Sequence, residues 1–360
     1  MSDKSPPNRR SALASKSVTR SRAYARDSII AGRFRIRSQI GSGGMGIVYS
    51  ASEIQTGRDV AIKALNATAF TTENVRRFRR EAHTAASVKH RHLCEVYYLG
   101  VEGGTPFIVM ERLRGETLAQ RLKETGPLSA SDAVSIMIQM LEGLSAAHSA
   151  GVLHRDIKPS NIFITAPRDA APSVKIIDFG LAKLLPTSAW KPRPESPLEE
   201  LSAITTTDVI PGTPFYLAPE QIGGARDLDQ RVDVWAAGLT FYEMLVGRRA
   251  YDAPSYVQLA TSILLRSLPL LSSTRSDLPA GLDGVLNQAL AKNRDHRFRS
   301  ATAFRAALIN EWALFRTACV ARGEQLRKFR PEAATLPIFD EVGGEDVTQI
   351  DVHVEFDPDD

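Results

Sequence analysis

A run of glycines and a lysine are the first residues whose types and spacing could do chemistry. Gly41-Ser42-Gly43-Gly44-Met45-Gly46 leads into Ile47 and Val48. Glycines in a hairpin let backbone N–H groups approach phosphate oxygens without side-chain interference. A similar spacing serves dinucleotides only where a helix follows directly. Here a strand pattern follows, which removes that reading and leaves a plain glycine hairpin as the alternative. Lys63 ends the apolar stretch Val60-Ala61-Ile62, 17 residues after Gly46. Taken alone it fits a solvated strand edge as well as a phosphate contact. Glu81 is its natural ionic partner, although by itself it reads as one member of the charged run 76–81. Three further groups stand out: His154-Arg155-Asp156-Ile157-Lys158-Pro159-Ser160-Asn161, then Asp178-Phe179-Gly180 22 residues after Asp156, then Ala218-Pro219-Glu220. Each triplet by itself occurs by chance in many proteins.

These groups need elements to hold them. Strand-like segments are expected over 33–40, 46–53 and 58–65, separated by turns that carry glycine. A helix is expected over about 73–88, with Val75, Phe78, Ala82, Ala85 and Ala86 on one face and charges on another. Strands over 93–101 and 105–111, joined at Gly103-Gly104, complete a small β-rich unit. After Glu116 the pattern turns helical. Ser129 with Asp132 three residues on resembles a capping box with Asp in place of Glu. Ala133, Val134, Met137, Met140, Leu141, Leu144 and Ala147 then recur at helical spacing until Gly151. Short strands at 161–165 and 174–177 flank a Pro/Ala loop. Residues 186–214 are rich in Pro, Ser and Thr and read as a loop. Helical patterns resume at about 230–247, 255–268, 280–292 and 300–329, with no internal repeat.

Composition narrows the classes. With 360 residues and 43% hydrophobic content the chain can bury a real core. The net charge of +4 hides segregation: residues 1–32 carry +5, residues 331–360 carry −10, and the middle carries +9. That middle suits anionic ligands, but its charge is too dispersed for a nucleic-acid footprint. Two cysteines, Cys94 and Cys319, exclude a disulfide framework and a cysteine-only zinc site. There is no run of about 18 apolar residues and no apolar signal core near the N-terminus, so a cytoplasmic setting is expected. Residues 1–32 are expected to be a disordered basic tail, 311–330 a helical extension and 331–360 an acidic disordered tail.

All five motifs together, in this order and spacing, resemble the protein kinases. The form Gly-Ser-Gly-Gly-Met-Gly-Ile-Val-Tyr, with Gly-Thr-Pro-Phe-Tyr-Leu-Ala-Pro-Glu-Gln later, is similar to the bacterial Hanks-type (eukaryotic-like) serine/threonine branch. Lys158, two residues after Asp156, favours Ser/Thr over Tyr specificity. The likeness covers about 34–304 and implies an α+β, two-lobed fold. A small β-rich N-lobe with one main helix would span about 33–111, and a larger, mainly helical C-lobe about 114–310.

The resemblance also implies roles. Ile40, Gly41, Ser42, Gly43, Gly44, Met45, Gly46, Ile47 and Val48 would cover the phosphates of ATP. Lys63, held by Glu81, would pair the α- and β-phosphates. Asn161 and Asp178 are oxygen donors of the hard kind Mg²⁺ prefers, with Mn²⁺ as an alternative. Asp156 would accept or orient the proton of the substrate hydroxyl, and Lys158 would neutralise charge on the transferred group. Met110 would stand as gatekeeper, with Glu111 and Leu113 offering backbone groups to the adenine. Glu220 would pair with Arg297 inside the large lobe, and Asp233 and Trp235 would be buried structural positions.

Regulation is implied less directly. Arg155 would grip a phosphate on the activation loop, and the run Thr205-Thr206-Thr207 is the candidate for autophosphorylation; a soluble loop tract is the plain alternative. The segment from Asp178 to Glu220 spans 43 residues, longer than the family pattern, with the excess around Pro192, Pro194 and Pro197. Thr205 and Thr348 each have Asp three residues on, a pattern favoured by some forkhead-associated domains. Protein substrates are the expected partners, with no membrane span. A catalytically silent kinase-fold scaffold, a small-molecule phosphotransferase and nucleic-acid binding through the basic tail are the competing readings. The intact motif residues argue against the first, the Ala-Pro-Glu segment against the second, and the third rests on charge alone.

Overall fold

The computed structural model describes residues 24–43, 46–65, 88–165, 172–178, 214–225 and 227–321. Gly44, Met45, most of the expected helix 73–88 with Glu81, the loop bearing Thr205, Thr206 and Thr207, and both outer tails lie outside these residues.

The N-terminal unit is an antiparallel sheet in the order β1-β2-β3-β4-β6-β5. Its strands are β1 (Ile29–Ile30), β2 (Phe34–Gly43), β3 (Gly46–Glu53), β4 (Asp59–Leu65), β5 (Val96–Glu102) and β6 (Thr105–Glu111). Alternation along β2 puts Phe34 and Ile36 inside and Arg35 and Arg37 outside, as a half-buried strand requires. β4 is buried along nearly its whole length because strands flank it on both sides. Phe34, Ile36, Tyr49, Ile62, Phe107 and Val109 close the core of this lobe.

Three departures from the expected elements have physical causes. The chain joins the fold before residue 33. The backbone N–H of Tyr24 donates to the Tyr49 hydroxyl (3.0 Å), Asp27 N–H donates to the Ile36 carbonyl (2.8 Å), and Ile30 is buried. Residues 24–32 are therefore ordered, and two aromatic or branched anchors suffice to hold them. β2 runs on through Gly41 to Gly43, pairing Gly43 with Gly46 across the hairpin. The strand expected over 93–101 begins only at Val96. Leu93 and Cys94 instead pair with the strand before Asp178, through Cys94 N–H to the Ile176 carbonyl (2.9 Å) and Ile176 N–H to the His92 carbonyl (2.9 Å). This stretch stitches the two lobes together.

The C-terminal unit is helical around a small sheet of β7 (Glu116–Thr117), β8 (Ile162–Ile164) and β9 (Val174–Ile176). Its helices are α1 (Leu118–Thr125), α2 (Ala130–Ser149), α3 (Pro219–Ile222), α4 (Arg231–Val246), α5 (Tyr256–Leu265), α6 (Leu271–Thr274), α7 (Gly281–Ala289) and α8 (Ala301–Ala321). Thr117 and Gln120 form a full capping box on α1. At α2 the Ser129 hydroxyl accepts from Asp132 N–H (3.1 Å) and donates to the Asp132 carboxylate (2.8 Å). α4 is buried on nearly every side, which marks it as the central helix of this lobe. The two-lobed α+β fold is thus present.

Candidate active site

Lys63 sits on β4 opposite Val48 of β3 and Ile108 of β6. It is buried, and its Nζ donates to Asp178 Oδ2 at 2.6 Å. Asp178 follows β9 with φ +60°, a left-handed conformation that a non-glycine residue adopts only when its surroundings hold it there. Burial alone would raise the Asp178 carboxyl. The Lys63 ammonium, with Lys158 behind it, outweighs that and holds the carboxyl below its ordinary range. The site therefore keeps an anionic oxygen donor in place between the lobes.

The stretch carrying Asp156 is clamped from beneath. Asp233 of α4 is fully buried and accepts three hydrogen bonds: from His154 N–H (2.8 Å), Arg155 N–H (2.7 Å) and His148 Nε2 (2.8 Å). Burial would push this carboxyl up, but His148 and the backbone donors hold it below the usual value. The clamp supports Arg155 at φ +62°. His154 Nε2 lies 3.0 Å from the Ile177 carbonyl, and its Nδ1 accepts from Asp156 N–H at 3.2 Å. Those two contacts put the ring proton on Nε2. His154 thereby ties the Asp156 loop to the backbone just before Asp178.

Asp156 itself is held at Oδ2 by Asn161 Nδ2 (3.0 Å) and by Lys158 Nζ (3.2 Å). The same Asn161 amide nitrogen donates to the Asp156 carbonyl at 2.7 Å. Its nitrogen is committed, so its oxygen is the atom left to face a cation. Asn161 and Asp178 fit a hard divalent ion as oxygen ligands, and two ligands leave room for water and phosphate oxygens, as Mg²⁺ prefers. Among the described residues no group of three or more acidic, histidine or cysteine side chains forms a self-sufficient metal site.

At the glycine hairpin, Ile40, Gly41, Ser42 and Gly43 end β2 and Gly46, Ile47 and Val48 begin β3. Gly46 has φ +149°, and a Cβ there would lie 2.0 Å from the Ala64 carbonyl oxygen of β4. Gly46→Ala must therefore separate β3 from β4 or twist the hairpin. Strain of about 1–3 kcal/mol is expected, read as a lowered Tm against the parent chain; an unchanged Tm would contradict it. At the far end, Met110 and Glu111 finish β6. Glu111 N–H donates to the Glu95 carbonyl (2.8 Å), while Leu113 N–H has no acceptor among the described residues.

The fold thus gathers Lys63, Asp156, Lys158, Asn161 and Asp178 into one cleft. Glu81, Gly44, Met45 and Thr205–Thr207 lie outside the described residues. Two contributors were not singled out from the sequence. His148, six residues before His154, braces Asp233, and Lys175 reaches Glu111. A lone lysine between Val174 and Ile176 was the available signal for the second.

The sequence pattern of the protein kinase domain matches residues 34–309. The chain belongs to the protein kinase family. It is 35% identical over 291 residues to the serine/threonine-protein kinase PrkC of Bacillus subtilis, covering 78% of this chain and 42% of that one. It is 36% identical over 283 residues to the serine/threonine-protein kinase pkn3 of Myxococcus xanthus, covering 78% and 50%. The chain spans about half the length of these curated relatives. Among solved structures, the kinase domain of Mycobacterium tuberculosis PknI superposes with a TM-score of 0.62 at 28% identity, covering 81% of this chain and 99% of that domain. These relatives place the chain with the bacterial Hanks-type kinases, and the Glu220–Arg297 pair and buried Asp233 and Trp235 sit where that likeness implied.

Proposed function

We propose that this chain is a serine/threonine protein kinase, transferring the γ-phosphoryl group of ATP to hydroxyls of protein substrates. The observation that carries the reading is the 2.6 Å contact between Lys63 of the small lobe and Asp178 of the large lobe. It draws a cation and a metal-binding carboxylate to one point beside Asp156, the arrangement that positions phosphates for in-line transfer. The glycine hairpin would cover the phosphates. Mg²⁺, or Mn²⁺ in its place, would be held by Asp178 and Asn161 and would neutralise phosphate charge. Asp156 would take the substrate proton, and Lys158 would face the transferred group. The names of the bacterial relatives favour Ser/Thr kinase activity over a silent scaffold. Incubating the protein with Mg²⁺, labelled ATP and a generic basic substrate should label serine or threonine; no label with either metal would overturn the reading.

Activation by autophosphorylation is part of this proposal. Arg155, set beside Asp156 by the Asp233 clamp, is the cation that would receive a loop phosphate. Phosphosite mapping should find label in Thr205–Thr207, and the triple alanine variant should lose most activity. Full activity in that variant would remove the switch. Phosphorylated Thr205 or Thr348 would offer the Asp-at-plus-three pattern to a forkhead-associated domain. No described helix is long and apolar enough to cross a membrane, and a cytoplasmic location for the domain accords with ATP as its substrate.

A further inference from the structure

Lys175 is the one charged side chain on β9, and nothing in the phosphoryl-transfer chemistry calls for it. Its Nζ donates to Glu111 Oε2 at 2.7 Å and to the Leu93 carbonyl at 3.4 Å. Both members of the ion pair are partly buried, with side-chain exposures of 21% and 28%. A partly buried pair is screened less than a fully exposed one. Glu111 is engaged from other sides as well. Its N–H donates to the Glu95 carbonyl, its Oε2 accepts from Glu95 N–H at 3.4 Å, and its carbonyl lies 3.8 Å from the Cys94 thiol.

The pair joins two places along the cleft. Lys175 stands three residues before Asp178, on the strand that presents the metal-binding carboxylate. Glu111 begins the segment that joins the lobes, where the adenine would be read. ATP would lie with its base against that segment and its phosphates near Asp178. We propose that Lys175 is a positioning residue for the nucleotide: through Glu111 it holds the adenine-reading backbone in the conformation that receives the base. This rests on the kinase reading above, because it assumes that the nucleotide lies across this cleft.

The test compares the parent chain with Lys175→Met, Lys175→Arg, and the swap Lys175→Glu with Glu111→Lys. In Lys175→Met the KM for ATP should rise about fivefold, with kcat and the KM for a peptide substrate within about twofold. Adenosine, which carries no phosphate, should lose affinity by the same factor in calorimetry. Lys175→Arg and the swap should recover most of the loss, since each restores opposite charges across the gap. If Lys175→Met proves too unstable to assay, Glu111→Gln, which keeps the shape and removes the charge, should show the same loss of adenosine affinity. Unchanged adenosine affinity in these variants, whatever their Tm, would overturn the proposal and leave the pair a structural brace. A parent chain that binds adenosine but transfers no phosphate would sink the kinase reading alone, and the calorimetric comparison would still decide this one. No adenosine binding by the parent would overturn both.

Discussion

Asp156→Asn should lower the rate of phosphoryl transfer about 10²- to 10⁴-fold, the range a positioned general base contributes. The carboxylate is fixed at Oδ2 by Asn161 and Lys158, so it is held ready to accept a proton without searching rotamers. An asparagine has nearly the same shape but no basic oxygen, and its NH₂ cannot receive the Asn161 N–H. The loss should appear in single-turnover rates at saturating ATP, while the affinity for ATP, which on the proposed reading would rest on Lys63 and the glycine hairpin, should change little. A variant within tenfold of the parent would remove Asp156 from the chemistry and reopen the choice of base.

The second large effect is on stability. Arg297 is fully buried at its side chain, and every guanidinium N–H has an acceptor. Nη1 and Nη2 grip Glu220 Oε1 and Oε2 at 2.7 Å each, Nε reaches the Ala291 carbonyl (2.7 Å), and the remaining donors reach the carbonyls of Arg231 (3.2 Å) and Lys292 (3.1 Å). The plane also lies over the Trp235 ring, 4.9 Å from its centre. Removing one partner of such a pair strands the other in a dry site. Arg297→Met should therefore destabilise the C-lobe by about 3–5 kcal/mol, which corresponds to a Tm loss of roughly 10 °C for a domain of this size. Arg297→Lys should recover little, because a point ammonium cannot copy the two-pronged contact. The same site supplies a spectroscopic check. Burial, together with the Arg297 and Arg266 cations, pushes Lys292 down to about 8, so its titration should move upward in Arg297→Met. A Tm within 2 °C of the parent would show that the pair contributes no more than a surface contact.

What was legible in the sequence was whatever depends on neighbours a few residues away. The alternation of Phe34 and Ile36 with Arg35 and Arg37 makes one strand of β2 in any context that buries one face. The spacing from Ala133 to Ala147 makes one helix, and Ser129 starts it. The chemical groups were legible too, because Lys63, Asp156, Asn161 and Asp178 stand in short motifs whose order needs no coordinates to read. Local signals failed at the places where distant segments compete for the same backbone. Leu93 and Cys94 look like the start of a strand, yet the Cys94 N–H goes to Ile176 and the Leu93 N–H turns back to His90 instead. Tyr24 and Ile30 look like part of a polar tail, yet Tyr49 and the edge of β2 give them somewhere to be buried.

The sequence by itself determined the family, the inventory of charged and oxygen-bearing side chains, and most of the elements that carry them. Only the tertiary structure decided who meets whom. Lys63 reaches Asp178 across 115 positions of chain. Asp233 clasps the backbone before Asp156 from a helix 78 positions later, and Lys175 is spent on Glu111. Periodicity and capping act over one or two turns of chain, so they can be read locally. A buried charge takes whichever opposite charge the packed core places within reach, and that is set by the fold as a whole.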